Sequence, residues 1–129
     1  MACYLDTSAL VKLVVEEPET QPLRTWLAAA ERSPVSSDLA RTELLRAVRR
    51  AAPDHVLQAR EVLDAISLVT LSTAIFEQAG RLDPPLLRTL DALHLASALD
   101  LGDDLELIVT YDERLAQAAR ANGLTTVAP

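Results

Sequence analysis

Glycine is scarce in this chain: Gly80, Gly102 and Gly123 are the only three. No phosphate-cradling P-loop and no dinucleotide fingerprint can be written with them, and a nucleophile elbow is absent too. Cysteine is reduced to Cys3, which rules out an internal disulfide and a cysteine-rich zinc site; its thiol is expected to pack in a strand. Lysine is reduced to Lys12, all other long basic side chains being arginine. Arginine forks pair well with phosphate, although genome composition produces the same bias. No apolar run approaches the roughly 18 residues of a membrane span. The amino terminus has no basic segment followed by an apolar one, so a cytoplasmic protein without a secretory leader is expected.

Basic charge is also in deficit, with 12 Lys and Arg against 19 Asp and Glu and a net charge of −7. A protein that holds nucleic acid through a broad basic surface does not look like this; any such contact must be local. What remains is ordinary for a globular chain, with half of its residues hydrophobic. A length of 129 residues fits one domain, 1–129, with a real core.

Short apolar runs alternate with helical periodicity. Cys3-Tyr4-Leu5 reads as a buried strand, Thr7-Ser8 as helix-capping chemistry, and Ala9 to Val15 as the helix that follows. A second helix starts at Thr20 and Pro22, with Leu23, Trp26, Leu27 and Ala30 on its buried face, and Ser33-Pro34 ends it. Val35-Ser36 is a strand candidate, and Ser37 caps a third helix from Asp38 to about Arg50. Pro53 opens a fourth, striped by Val56, Ala59, Leu63 and Ile66; Leu68 to Leu71 reads as a strand, and Ser72 or Thr73 caps a helix to about Arg81. Asp83-Pro84-Pro85 is a break. Thr89 caps Leu90 to Leu101, apolar on nearly every side and therefore central. Leu105 to Thr110 is a strand, Asp112 begins the last helix, Asn122-Gly123 ends it, and Leu124 to Val127 fits an edge strand. The alternation predicts an α/β fold: a three-layer α/β/α arrangement around a central, mainly parallel sheet of short strands.

Four carboxylates stand out by position. Asp6 and Asp112 each end a strand and begin a helix, where open parallel sheets form ligand crevices. Glu43 falls about 40° from Leu39 on the wheel of the third helix, inside its apolar arc. Asp91 shares a helix face with Leu95, Ala98 and Leu99. Each has an ordinary explanation taken singly. Asp6, Asp91 and Asp112 suit helix N-termini, and Arg50 lies near enough to Glu43 on the wheel for an ion pair. His94, three residues after Asp91, fits a satisfied core histidine better than a metal ligand. Arg41, Arg46, Arg49 and Arg50 read as a solvated face, some of them free to meet phosphate.

Gathered together, four such acids cannot all stay bare anions. Two unit charges 4 Å apart repel by about 4 kcal/mol at an effective dielectric near 20. Protons or a cation must intervene, and oxygen ligands without Cys or His select a hard ion, Mg²⁺ or Mn²⁺. Such an ion commonly meets phosphate as its other ligand and can activate water, which is the chemistry of phosphodiester hydrolysis. Asp6-Thr7-Ser8 lacks a second Asp two residues on, against an aspartyl-phosphate phosphatase.

Four segments carry a family resemblance: Tyr4-Leu5-Asp6-Thr7-Ser8-Ala9-Leu10, Ser36-Ser37 through Glu43-Leu44-Leu45-Arg46-Ala47, Asp91-Ala92-Leu93-His94-Leu95-Ala96, and Thr110-Tyr111-Asp112-Glu113-Arg114-Leu115-Ala116. In order and spacing they resemble the signature blocks of PIN-domain ribonucleases, in particular the VapC toxins of toxin–antitoxin pairs. The resemblance implies that Asp6, Glu43 and Asp91 bind metal and that Asp112 completes the site as a fourth, less uniform acid acting through water. It implies that Thr7, Ser8 and Thr110 orient those carboxylates. It further implies endonucleolytic RNA cleavage with Mg²⁺ or Mn²⁺, a homodimer, and a VapB-type antitoxin that wraps over helices near the site and often puts an arginine into it. Arg46, Arg49 and Arg114 are candidates to steer the RNA backbone. Two other readings stand beside this one. A receiver-like phosphoacceptor domain also gathers acids on Mg²⁺, but it usually needs a late lysine, and this chain has none after Lys12. A non-cutting PIN-like module would bind RNA or protein only.

Overall fold

The computed structural model describes residues 1–129. Five strands form one sheet: β1 (Ala2–Leu5), β2 (Ser33–Ser37), β3 (Ser67–Val69), β4 (Leu105–Val109) and β5 (Thr126–Val127). Their order is β3-β2-β1-β4-β5, and every pairing is parallel. Seven helices connect and cover them: α1 (Thr7–Lys12), α2 (Thr20–Ala28), α3 (Leu39–Ala51), α4 (Val56–Ala65), α5 (Thr73–Arg81), α6 (Thr89–Asp100) and α7 (Glu113–Ala121). None is long and apolar enough to cross a membrane.

The two faces of the sheet follow from the two-residue period of a strand. Cys3, Leu5, Leu107 and Val109 point to one side and pack with Leu10, Leu23, Leu44, Val48 and Leu63 from α1 to α4. Tyr4 and Ile108 point to the other, against Leu95 and Ala98 of α6 and Leu115, Ala118 and Ala119 of α7. Each fully buried leucine or isoleucine contributes about 1.5–3 kcal/mol relative to exposure, so both layers are firmly held. Helix α6 is the innermost: Ala92 through Ala98 are all buried.

Several local expectations shift. Helix α1 begins two residues early and stops at Lys12, because Asp6, rather than Thr7 or Ser8, is its N-cap and accepts from the Ala9 amide at 3.0 Å. Helix α2 ends at Ala28, and Ser33-Pro34 opens β2 instead of closing the helix. The proline is tolerated because the β2–β3 ladder starts only at Val35. Ser37 belongs to β2 and caps nothing; Asp38 takes the N-cap position of α3 without a capping bond, its Oδ1 accepting from Arg41 Nε instead. Ser72 caps α5 through the Ile75 amide. The last helix ends as expected, with Gly123 at φ 85°.

Candidate active site

Parallel strands that lie side by side end at the same edge. Leu5 of β1 is in register with Val109 of β4, so the residues that follow, Asp6 and Thr110 to Asp112, emerge together at the carboxyl edge of the sheet. Asp6 is 4 % exposed and held from all sides. Its Oδ1 accepts from the Ser8 hydroxyl at 2.6 Å and from the Ala9 amide; its Oδ2 accepts from the Thr110 hydroxyl at 2.6 Å. The same two hydroxyls reach onward. Thr110 Oγ1 accepts from the Asp112 amide at 3.1 Å, and Ser8 Oγ from the Tyr111 amide at 3.0 Å. Ser8 and Thr110 therefore lock the two strand ends to one another as well as orienting Asp6. Burial pushes the Asp6 carboxyl above the ordinary range, against the pull of Ser8, Thr110, the charge of His94 and the Ala9 amide.

Glu43 arrives from the first half of α3, whose Ala40, Leu44 and Val48 are buried anchors. Arg50 is not its partner. Glu43 Oε1 accepts from the Thr7 hydroxyl at 2.9 Å and meets His94 Nε2 at 2.6 Å. Burial alone would raise this carboxyl, but the His94 bond and charge together with the Thr7 bond carry it below its ordinary value. Asp91, in the first turn of α6, is pushed up by burial and then by the negative charges of Asp112, Asp6 and Glu43, with His94 opposing. Asp112 caps α7, its Oδ1 accepting from the Arg114 and Leu115 amides at 2.9 and 3.3 Å.

All four acids predicted from the sequence thus occupy one electrostatic neighbourhood, and none is paired with an arginine or lysine. Lys12, the one lysine, is taken by Glu17 and Glu19. Oxygen donors without a protein cation suit a hard divalent ion, which fits the donor set present. No three side chains stand preformed at ligating distance of one point. Mg²⁺ tolerates that, since it is usually held by one or two carboxylates and keeps several waters.

Beside Asp91 a cleft of about 740 Å³ opens between α7 and the segment before α6, walled by Leu87, Arg88, Arg114, Ala118 and Ala121. Arg114, singled out in the sequence, lines it; Arg88 does so as well and carried no sequence signal. Arg46 and Arg49 are exposed on α3, outside that cleft. His94 is the satisfied core histidine expected, and its tie to Tyr4 and Glu43 is what carried no sequence signal. His94 is buried, and its Nδ1 lies 2.7 Å from the Tyr4 hydroxyl.

Comparison with known proteins follows the same lines. The family model described as "PIN domain" matches residues 3–121. The chain is 44 % identical over 129 residues to Ribonuclease VapC46 of Mycobacterium tuberculosis (strain ATCC 25618 / H37Rv), covering 99 % of this chain and 98 % of that protein. Among solved structures, VapC20 of Mycobacterium tuberculosis, described as a sarcin-ricin loop cleaving toxin, superposes with a TM-score of 0.79 over 98 % of this chain and 99 % of its own, at 17 % identity. A chain of a toxin–antitoxin complex from Klebsiella pneumoniae superposes at 0.72 over 98 % and 97 %, at 18 % identity. At those identities the two structures speak for the fold alone.

Proposed function

The chain belongs to the PIN-domain family, and from that premise we propose that it is an endoribonuclease, the toxin of a VapBC-type pair, folded as one domain and acting in the cytoplasm. The observation that carries this reading is that Asp91 lies within electrostatic reach of Asp6, Glu43 and Asp112, and none of the four is paired with a lysine or arginine. Asp6, Glu43 and Asp91 would hold Mg²⁺ or Mn²⁺, and Asp112 would complete the site. When bound, such a cation supplies charge neutralisation, an activated water and stabilisation of the charge that builds on the phosphate.

The chain's own groups do the rest. Ser8 and Thr110 fix both oxygens of Asp6 through bonds of 2.6 Å, so the carboxylate does not turn when charge develops beside it. Thr7 and His94 do the same for Oε1 of Glu43. Asp112 is pinned by the first amides of α7 through Oδ1. Arg88 and Arg114 wall the cleft next to Asp91 and would guide the phosphodiester backbone, with Arg46 and Arg49 as outlying contacts. In the reaction the water oxygen bonds to phosphorus, the bond to one ribose oxygen breaks, and that oxygen leaves with a proton. A net charge of −7 and an acidic site suit capture by a basic segment of an antitoxin. A homodimer is proposed from the family likeness.

The test is cleavage of a labelled structured RNA by purified protein with Mg²⁺, with Mn²⁺ and with EDTA, beside an Asp6→Asn variant prepared in the same way. Cutting that needs metal and is lost in the variant is the expected result. Cutting that survives in the variant overturns the assignment of the site. A wild type that binds metal and RNA without cutting favours a non-cleaving module.

A further inference from the structure

Behind Glu43 lies a buried polar chain that the mechanism above uses only in passing. His94 is 2 % exposed and Tyr4 fully buried, both inside apolar layers. Neither is a solitary polar group. The Glu43 carboxylate oxygen accepts, so His94 Nε2 carries the hydrogen across the 2.6 Å contact. On its other side the ring is hydrogen-bonded through Nδ1 to the Tyr4 hydroxyl, 2.7 Å away. The two rings also meet edge to face, with centroids 5.8 Å apart and planes at 73°. Three elements are thereby tied in series: β1 through Tyr4, α6 through His94 and α3 through Glu43.

The direction of the tie matters. Both donors, His94 Nε2 and the Thr7 hydroxyl, converge on Oε1. Oε2 has no hydrogen-bond partner in the chain, and it is not among the buried polar atoms left unpaired, so it is open to solvent. A free glutamate side chain on a helix turns about three bonds. Two donors on one oxygen stop that motion and present the other oxygen outward. Ligation by His94 itself is excluded, because both of its ring nitrogens are engaged.

We propose that His94, braced by Tyr4, is a positioning residue that fixes Glu43 with Oε2 turned to the four-acid site, ready to ligate a divalent cation. This rests on the metal-site reading above. It makes a separate demand, namely that a buried histidine distant from solvent sets cation affinity. Hydrogen-bond partners of ligating groups commonly alter metal affinity by about 10–100-fold.

The experiment is a Mn²⁺ titration of the intact protein, reading free Mn²⁺ by its electron paramagnetic resonance, on wild type, Tyr4→Phe, His94→Gln and His94→Leu. Each variant is first checked for a cooperative thermal melt. His94→Leu is expected to bind Mn²⁺ about tenfold more weakly or worse, while His94→Gln, whose amide N–H reaches about as far as Nε2, stays within about threefold of wild type. Tyr4→Phe, which removes the bracing hydroxyl and leaves the ring, is expected to weaken binding by about threefold or more, short of the full effect. A folded His94→Leu with wild-type affinity overturns the proposal and leaves His94 a plain core residue. So does a His94→Gln as weak as His94→Leu. Should His94→Leu fail to fold, Tyr4→Phe decides alone, and an unchanged affinity there overturns the proposal. A wild type that binds no Mn²⁺ overturns the metal reading instead, which the same titration reveals before any variant is compared.

Discussion

At the scale of single residues, Asp6 and Asp91 are acids held against their preference, whereas the bonds and charge around Glu43 favour its anion. Asp91 binds its proton more readily in the folded chain than its ordinary value of 3.8 implies, because burial and three other carboxylates disfavour its anion. The native state therefore holds more protons than the unfolded one as pH rises from about that value to the raised one, and stability falls across the window. Asp91→Asn is expected to flatten this slope and to melt higher than wild type near neutral pH without metal, while losing RNA cleavage. Thermal melts across pH, with and without EDTA, check it. Thr110→Val makes the opposite case. It removes the donor to Asp6 Oδ2 and the acceptor of the Asp112 amide. A cost of about 1–3 kcal/mol in denaturant titration is expected from the orphaned buried groups, with cleavage down about 10–100-fold. Loss of activity without loss of stability would contradict the bridging role of this hydroxyl.

At the scale of elements, each acid is delivered by the start of a helix or by one anchored in the core. Asp6 and Asp112 are themselves the N-caps of α1 and α7, so the same side chains end a strand and begin a helix at the carboxyl edge of the sheet. Glu43 depends on how α3 sits, and Leu44, fully buried beside it in sequence, is its anchor. Leu44→Ala is expected to cost about 2–5 kcal/mol and to lower cleavage along with stability. Ser72→Ala removes the cap of α5, whose residues do not line the cleft beside Asp91. It should cost about 1 kcal/mol and leave cleavage unchanged. Denaturant midpoints paired with cleavage rates separate the two cases. The element-level misreadings have physical causes. Ser33-Pro34 has the composition of a helix stop, yet a proline outside the β2–β3 ladder is compatible with a strand. Thr7 and Ser8 are good capping residues, but Asp6 took the cap because its carboxylate is already anchored by Ser8 and Thr110.

At the scale of the whole molecule, the anions of buried Asp6 and half-buried Asp91 are a source of instability that a cation should relieve. A ligand that binds only the folded chain stabilises it by about 2.7 kcal/mol at a hundredfold excess over its dissociation constant. Mn²⁺ is expected to raise the melting temperature of wild type, EDTA to reverse the gain, and the Asp6→Asn variant to show little of it. An equal shift in wild type and variant would place the ion elsewhere. The sequence by itself determined the alternation of strands and helices and the parallel sheet, and it singled out Asp6, Glu43, Asp91 and Asp112 as candidates. These follow from local periodicity and from charges intruding on apolar faces or strand ends, which are legible one segment at a time. It could not determine who partners whom across the fold. That Glu43 would meet His94 and Thr7 rather than Arg50, that Tyr4 would brace that histidine, and that Arg88 would wall the cleft beside Asp91 were decided only when the strand order β3-β2-β1-β4-β5 set α3, α6 and α7 around one sheet edge. Hydrogen bonds act over about 3 Å between atoms, and here they join residues far apart in the chain, so only the tertiary structure brings them within reach.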